Sequence, residues 1–474
     1  MSNYSISKTL NPERVFILKK SQLEKRLDPF YYVPGLLELE KKVLAKKPKK
    51  LQDYVLSISS GATPKTTESE KYYTDKEDGI PFLRVQNLSP TGVLEFDDCK
   101  YINQETHNGM LKRSQVSAGD LLVKITGVGR MAVASVAPEG FFGNINQHVC
   151  VIKTGSKEIS ESLAAFLNSD IGERLASRRS TGGTRPALDY PALLSMPIIE
   201  DKRILQITSE VITLKQRNEK TTNELLATID GYLLKALGIT LPNPTENNLQ
   251  NRMYSTSLKS ITNKRFDSFF HQKKFTNNLN AVANGKYKVK PLREIMNGNL
   301  IKGRLPKHDE KEGDNLVVQI NSINSDGTIE LDDLLTSKNI FSKEQKLNKG
   351  DILVVITGAT IGKIAYWQYD DDFYLGGDIV KFQSNSFFDS SFVYHFLKTS
   401  VIQTEIKRNI TGATNGHLAP EDVKQLPIPV PPMVKQKEIA GHITEIRQQA
   451  QKLKDNTKEV LAQAAKEIER ILLS

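Results

Sequence analysis

The sequence predicts an α+β protein: two homologous globular α/β domains with two long antiparallel coiled-coil helices, arranged as a pseudo-twofold. Three observations predict it. Sequence blocks recur in the same order in the two halves, each copy mixes short β-branched runs with helical pieces, and each copy closes on a long stretch without proline. At 474 residues and 38% hydrophobic content, the chain has room for roughly two to four folding units with buried cores.

The duplication is read from paired blocks. KRLDPFYY (Lys25–Tyr32) returns as KRFDSFFH (Lys264–His271), and GDLLVKITG (Gly119–Gly127) as GDILVVITG (Gly350–Gly358). RVQNLSPTGVLEF (Arg84–Phe96) has a looser counterpart in VVQINSINSDGTIEL (Val317–Leu331). STGGTRPALDY (Ser180–Tyr190) answers to ITGATNGHLAP (Ile410–Pro420). The period is about half the chain, too long for a solenoid. PFLRV, DLLVKIT and HVCVIKT in the first half, and NLVVQI, DILVVIT and DIVKFQ in the second, are short β-branched runs bounded by Gly, Asn, Asp or Pro, which predicts strands. Helical pieces follow at Ser160–Arg179 and Ser390–Arg408, then a Thr-Gly loop, then a Pro-marked stop.

From Asp201 to Leu237 there is no proline, and Gly231 is the one glycine. Ile204, Ile207, Val211, Leu214, Asn218, Thr221 and Leu225 step by three and four, the a/d spacing of a coiled-coil seam. The pattern returns over Lys435–Leu473 with Ile443, Ile446, Ala450, Leu453, Thr457, Val460, Ala464, Ile468 and Ile471. Asn218 and Thr457 would be polar residues within the seam, setting register at some cost in stability. A helix of about 35 residues is on the order of 50 Å long, so the two are expected to pack on each other as spacers. The expected divisions are an extension (1–20), a first domain (21–200), a first spacer helix (201–238), a linker (239–258), a second domain (259–434) and a second spacer helix (435–474).

Composition excludes several classes. Two cysteines, Cys99 and Cys150, are too few for a disulfide scaffold or a Cys-rich zinc domain and fit a reducing compartment. The formal net charge of +10 suits an anionic partner such as nucleic acid. The first residues lack a signal-peptide pattern and no run approaches the ~18 apolar residues of a membrane span, so a cytoplasmic protein without membrane contact is expected. Catalytic machinery is not apparent. No Rossmann fingerprint occurs, and NPTE (Asn243–Glu246) lacks the aromatic of an amino-methyltransferase motif. GATIGK (Gly358–Lys363) is one residue short of a phosphate loop, with Ile364 where a magnesium-ligating hydroxyl should stand. Its first-half counterpart, GVGRM (Gly127–Met131), has no lysine, so both are read as Gly-rich turns joining strands. His148, in a strand-like run, reads as a core histidine, and no metal-ligand spacing appears. The expectation is a binding module with no catalytic site, cofactor or metal of its own.

The binding candidates are basic and amide residues at matched loop positions: Arg84, Gln86, Asn87, Lys124, Arg130, Thr181, Thr184 and Arg185 in the first half, and Gln319, Asn321, Lys363, Thr411, Thr414 and Asn415 in the second. Arg and Lys pair with guanine edges, Asn and Gln with adenine, and Lys and backbone amides with phosphates. The lysine run Lys41–Lys50 could skirt a DNA backbone. Between the paired blocks the halves diverge, as Ser60–Gly79 does from Asn297–Gly313, which is what a reader of two unlike sequences would show.

The GD-[LI]-L-V-x-[IT]-TG blocks, the Thr-Gly loops, the LPIPVPPMVKQKEI run (Leu426–Ile439) and the twofold layout together resemble the specificity subunit of type I restriction–modification systems, over nearly the whole chain from about Lys25. The first half departs from the helix-entry pattern, since MPIIEDKRI (Met196–Ile204) lacks the Pro-Pro and the Gln. The resemblance implies two target recognition domains, each reading one part of a split site in double-stranded DNA, with the paired helices as a ruler between them. It implies docking of two methyltransferase subunits on the helices, carried by positions such as Ile207, Val211, Leu214, Leu225, Ile443, Ile446, Leu453 and Val460, and of restriction (translocase) subunits. S-adenosylmethionine, ATP and magnesium would belong to those partners. Two readers related by a pseudo-twofold would address half-sites about one helical turn (~34 Å) apart. A specificity subunit of a type II-like system with a fused nuclease–methyltransferase, a stand-alone enzyme, and a protein-docking adaptor are the competing readings.

Overall fold

The structure is a computed structural model that describes residues 10–474 except 25, 97, 244–252, 256, 258–260, 262–264, 307–310, 332–333, 339–340, 359 and 413–415. The chain forms two compact units, Met1–Glu219 with Lys454–Ser474, and Lys220–Leu453.

The first unit holds two four-stranded sheets. One is antiparallel throughout, in the order Ser57–Ser60, Val149–Lys153, Leu121–Lys124, Ala134–Val136. Its middle strands are apolar on both faces, because helices Lys157–Asn168 and Asp170–Arg179 cover one side and the second sheet the other. The second sheet runs Lys100–Ile102, Ile80–Leu83, Phe142–Ile145, Gln115–Ser117, with its central pair parallel. The two helices are separate because Ser169 is extended and caps the second through Oγ, which accepts from Gly172 N at 3.0 Å.

The second unit repeats this plan. Its antiparallel sheet runs Ile301–Lys302, Ile379–Phe382, Ile352–Val355, Ile364–Tyr366. Lys311–Val318 pairs in parallel with Phe373–Leu375, as Ile80–Leu83 does with Phe142–Ile145. Where the first unit has the strand Gln115–Ser117, the second has a single bridge, Lys346 to Tyr374.

The Gly-Asp blocks have a mechanical meaning. Gly119 and Gly350 take φ of 84° and 92°, left-handed values open to glycine at little cost. The next residue turns its carboxylate back: Asp120 Oδ2 accepts from Ser117 N and Lys153 Nζ, both at 2.7 Å. Asp351 Oδ2 does the same with Asn348 N and Lys381 Nζ, both at 2.8 Å. Each block thus closes a turn and ties two neighbouring strands by a partly or wholly buried ion pair.

The long helices are Lys202–Ala236 and Met433–Leu473, and each contributes one end to each unit. In the first unit Ile204 and Ile207 share a core with Ile468, Ile471 and Leu472, and Asn218 Nδ2 donates to Thr457 Oγ1 at 2.9 Å and to Asn456 Oδ1 at 3.3 Å. Low numbers meet high ones, so the pairing is antiparallel. In the second unit Leu233, Leu234 and Leu237 pack with Ile439, Ala440 and Ile443, and the Tyr232 and His442 rings lie 4.2 Å apart. Ile446 is buried, and Val211, Leu214, Leu225, Leu453 and Val460 are half-buried on the covered faces. Gln436 explains the entry motif of the second helix: buried, it accepts from Asp389 N at 2.8 Å and donates to Pro431 O at 2.9 Å. The first helix has no such glutamine and is entered through Asp201, whose carboxylate takes Arg203 N at 2.9 Å.

Candidate nucleic-acid interface

Two repeated blocks far apart in sequence meet in each unit. In the first, Thr126 and Thr181 both bridge to Ala187, Gly127 N donates to Pro186 O at 3.0 Å, and Leu188 N to Ile125 O at 2.8 Å. In the second, Thr357 and Thr411 both bridge to His417, Gly358 N donates to Gly416 O at 3.2 Å, and Leu418 N to Ile356 O at 2.8 Å. The Ile-Thr-Gly end of a strand is therefore stitched to the Thr-Gly loop by the same backbone bonds twice. Gly182 and Gly412, at φ of 94° and 91°, make the turn, and a Cβ on Gly182 would also press on Arg185 O at 3.1 Å.

A clasp holds the base of each loop. Arg26 donates to Arg179 O and Ser180 O, both at 2.7 Å, while its Nε pairs with Asp28 at 2.8 Å. Arg178 in turn donates to Tyr31 O at 2.8 Å, stacks on the Tyr31 ring and meets Glu40, which Arg179 also reaches. In the second unit Arg265 donates to Arg408 O and Ile410 O at 3.3 and 3.1 Å and pairs with Asp267. Arg408 donates to Phe270 O at 2.8 Å and lies over the Phe270 ring. This is what the KRLDPFYY and KRFDSFFH blocks do. Sequence reasoning quoted the blocks without assigning their arginines, because the carbonyl partners lie about 150 residues away.

The residues singled out from sequence fall into three groups. The first bonds within its own unit. Asn87 is buried, with Oδ1 accepting from Arg84 N at 2.8 Å and Nδ2 donating to Glu95 O at 2.9 Å. Lys124 is buried, its Nζ on Val128 O at 2.6 Å, and burial lowers its pKa. Arg130 pairs with Asp170 at 2.8 Å and donates to Asn168 O at 2.7 Å, and Lys363 Nζ donates to Ile323 O at 2.7 Å. These four brace loops of the frame.

The second group is at the surface. Thr181, Thr184, Arg185, Asn321 and Thr411 are exposed, and Gln319 is half-buried with its backbone N–H on Ser322 Oγ at 3.2 Å. Arg84 and the exposed Gln86 converge on the Asp98 carboxylate, at 3.1 and 2.8 Å, and those two donors hold the Asp98 pKa below the usual carboxylate range. Thr414 and Asn415, the third group, lie outside the described residues. The lysine run is exposed apart from Val43 and the half-buried Pro48, with its first part on helix Pro34–Ala45. GATIGK joins two antiparallel strands, with Val355 N donating to Lys363 O at 3.0 Å.

His148, read from sequence as a core residue, differs. It sits half-buried in the turn before Val149–Lys153 with Nε2 at 3.0 Å from the Arg185 guanidinium. A histidine at the end of a strand rather than within it was the available signal.

Comparison with known proteins follows this geometry. Residues 284–463 match the type I restriction modification DNA specificity domain, a span that contains the second unit's stitched loop and clasped helix. A stretch of 128 residues is 26% identical to the EcoKI specificity subunit of Escherichia coli K12, and one of 158 residues is 24% identical to the StySPI specificity subunit of Salmonella potsdam. Residues 284–463 are thus similar to the DNA specificity domain of type I restriction–modification systems. The matches span 27% and 33% of those relatives' own lengths. Among solved structures, specificity-subunit chains recur: the S subunit from M. genitalium (13% identity, TM-score 0.40, 90% of this chain and 94% of that one) and the HsdS subunit from Thermoanaerobacter tengcongensis (16%, 0.30, 90% and 94%). The likeness to specificity subunits is carried by the sequence matches. No described helix is long and apolar enough to cross a membrane.

Proposed function

We propose that this chain is the DNA-addressing subunit of a restriction–modification system, reading a split target with one half-site per unit and doing no chemistry itself. The observation that carries the reading is the stitched and clasped Thr-Gly loop, built twice on one hydrogen-bonded frame from unlike sequences: the exposed Arg185 stands in the first loop where the second has Asn415 in sequence. Two copies of a loop with unlike tips are suited to two unlike short sequences.

In this reading, Thr181, Thr184, Arg185, Gln86 and Arg84 serve the first half-site, and Gln319, Asn321, Thr411, Thr414 and Asn415 the second. The antiparallel helix pairs hold the readers at a set spacing and offer Ile207, Val211, Leu214, Leu225, Ile443, Ile446, Leu453 and Val460 as the spine behind a surface for two methyltransferase subunits, with restriction subunits joining that core. S-adenosylmethionine, ATP and magnesium would be bound by those partners, in the cytoplasm. Phosphate contacts from both units would make DNA affinity fall steeply with salt.

Methylation mapping of host DNA with and without the gene tests this directly. The expected result is one bipartite methylated sequence that disappears with the gene. Exchanging residues 60–180 for those of a divergent relative is expected to change one half-site only, and a heptad inserted into both long helices to lengthen the gap. A continuous target, or two altered half-sites from the single exchange, would overturn the reading.

A further inference from the structure

The exposed loop of the first unit ends at Arg185, and the group that meets it is His148. The ring is well placed for this. Its residue's N–H donates to Asn146 Oδ1 at 3.1 Å, and its carbonyl accepts from Ile125 N at 2.9 Å, the same strand end that is stitched to the loop. Gln147 reaches the same ring nitrogen at 3.4 Å and bonds Thr63 through its side chain. Burial, and then the nearby Arg185 charge, push the His148 pKa down, so at neutral pH the ring is uncharged and Nε2 accepts from the guanidinium.

A guanidinium carries five donors in a planar fork, and one contact with His148 leaves the fork oriented rather than consumed. Arg185 is itself exposed. A fixed, exposed arginine fork with two parallel N–H groups matches the O6 and N7 acceptors on the major-groove edge of guanine. The second half of the chain carries Asp378 where the first has His148, Gly377 where it has Gln147, and Asn415 where it has Arg185. This pair of groups is therefore particular to one half.

Resting on the functional reading above, we infer that Arg185 reads a guanine in the half-site of the first unit, and that His148 is the positioning residue that aims it. The test uses the full chain, purified with whatever subunits accompany it, and a random-sequence duplex library whose bound fraction is sequenced. The unaltered protein is expected to select a split motif. Arg185→Ala is expected to erase the preference at one G·C pair of one half-site and weaken binding of the unaltered protein's motif about tenfold. Arg185→Lys, which keeps the charge but not the planar fork, is expected to retain the salt dependence and weaken the base preference. His148→Ala is expected to blur the same base pair, with His148→Gln, whose amide oxygen still accepts, restoring most of it. A motif unchanged by Arg185→Ala, or loosened equally in both half-sites, overturns this inference alone. An unaltered protein that selects no split motif overturns the functional reading and this inference with it.

Discussion

Ala164 and Ala165 in the first unit stand where Tyr394 and His395 stand in the second, each pair directly before a Phe-Leu that enters the core. In the first unit the small side chains leave a groove of about 790 Å³ against the long helix, lined by Val93, Val136, Leu205 and Ile212 among others. In the second the corresponding space is filled. Arg447, on the second long helix, donates to Asp326 O at 2.8 Å and lies 5.6 Å over the Tyr394 ring, and Lys398 Nζ donates to Ser325 O at 3.3 Å. Gly327 shows how tight the filling is: a Cβ there would come within 2.4 Å of the Tyr394 hydroxyl, whereas at the matching Gly92 the nearest group is Asn168 Nδ2 at 3.9 Å. The hydrogen-bonded frame was copied and the packing volume was not, since the frame depends on backbone geometry and packing only on total volume.

The largest test of this contrast is Tyr394→Ala, which recreates the open groove in the second unit. A buried aromatic truncated in a filled core is expected to cost about 3–5 kcal/mol. Urea unfolding followed by fluorescence of Trp367, the single tryptophan and buried in the second unit, measures it. A loss under about 1 kcal/mol would mean that the second groove is filled without being packed. Next comes Arg447→Ala, expected to cost about 2 kcal/mol through a lost charged hydrogen bond and ring contact. In the first unit Ile212→Ala, half-buried beside the open groove, should cost less than half of that.

The contrast also has a pH signature. His395 is held neutral by burial, reinforced by the Arg447 and Lys398 charges, with its pKa pushed down to about 3. The unfolded chain takes up that proton near pH 6.5, so the folded second unit binds fewer protons than the unfolded one between these values. Its stability should therefore be complete above about pH 6.5 and fall as pH drops toward 3, by up to about 1.4 kcal/mol per pH unit from this group. His395→Leu should flatten the slope of the Trp367 transition, and an unchanged slope would remove His395 as its source. A small effect belongs to the helix seam: Asn218→Ala should cost the first unit about 1 kcal/mol by removing the bonds to Thr457 and Asn456, read by thermal unfolding.

Sequence reasoning reached the seam and the frame because both are periodic or repeated. Ile204, Ile207 and Asn218 were placed on one face by spacing alone, and their partners Ile468, Ile471 and Thr457 came from the same rule applied to the other helix. The surface was legible at Thr181, Thr184, Arg185 and Thr411, which sit in a polar, glycine-rich loop. Asn87, Lys124, Arg130 and Lys363, chosen by the same rule, bond within their own unit, for a common reason. Residue type reports what a side chain can donate, and each of these found its acceptor inside its own unit: Glu95 O, Val128 O, Asn168 O and Ile323 O.

What the amino-acid order settled unaided is therefore local and repetitive: two copies, their strands, the long helices with their apolar stripe, and the repeated Gly-Asp blocks. What the tertiary structure decided is who meets whom across long stretches of chain. Arg26 finds the carbonyls of Arg179 and Ser180, Thr126 and Thr181 share Ala187, and His148 faces Arg185. Backbone preference acts over a few residues, while a hydrogen bond needs two groups within about 3 Å, and only the folded chain brings such distant segments that close.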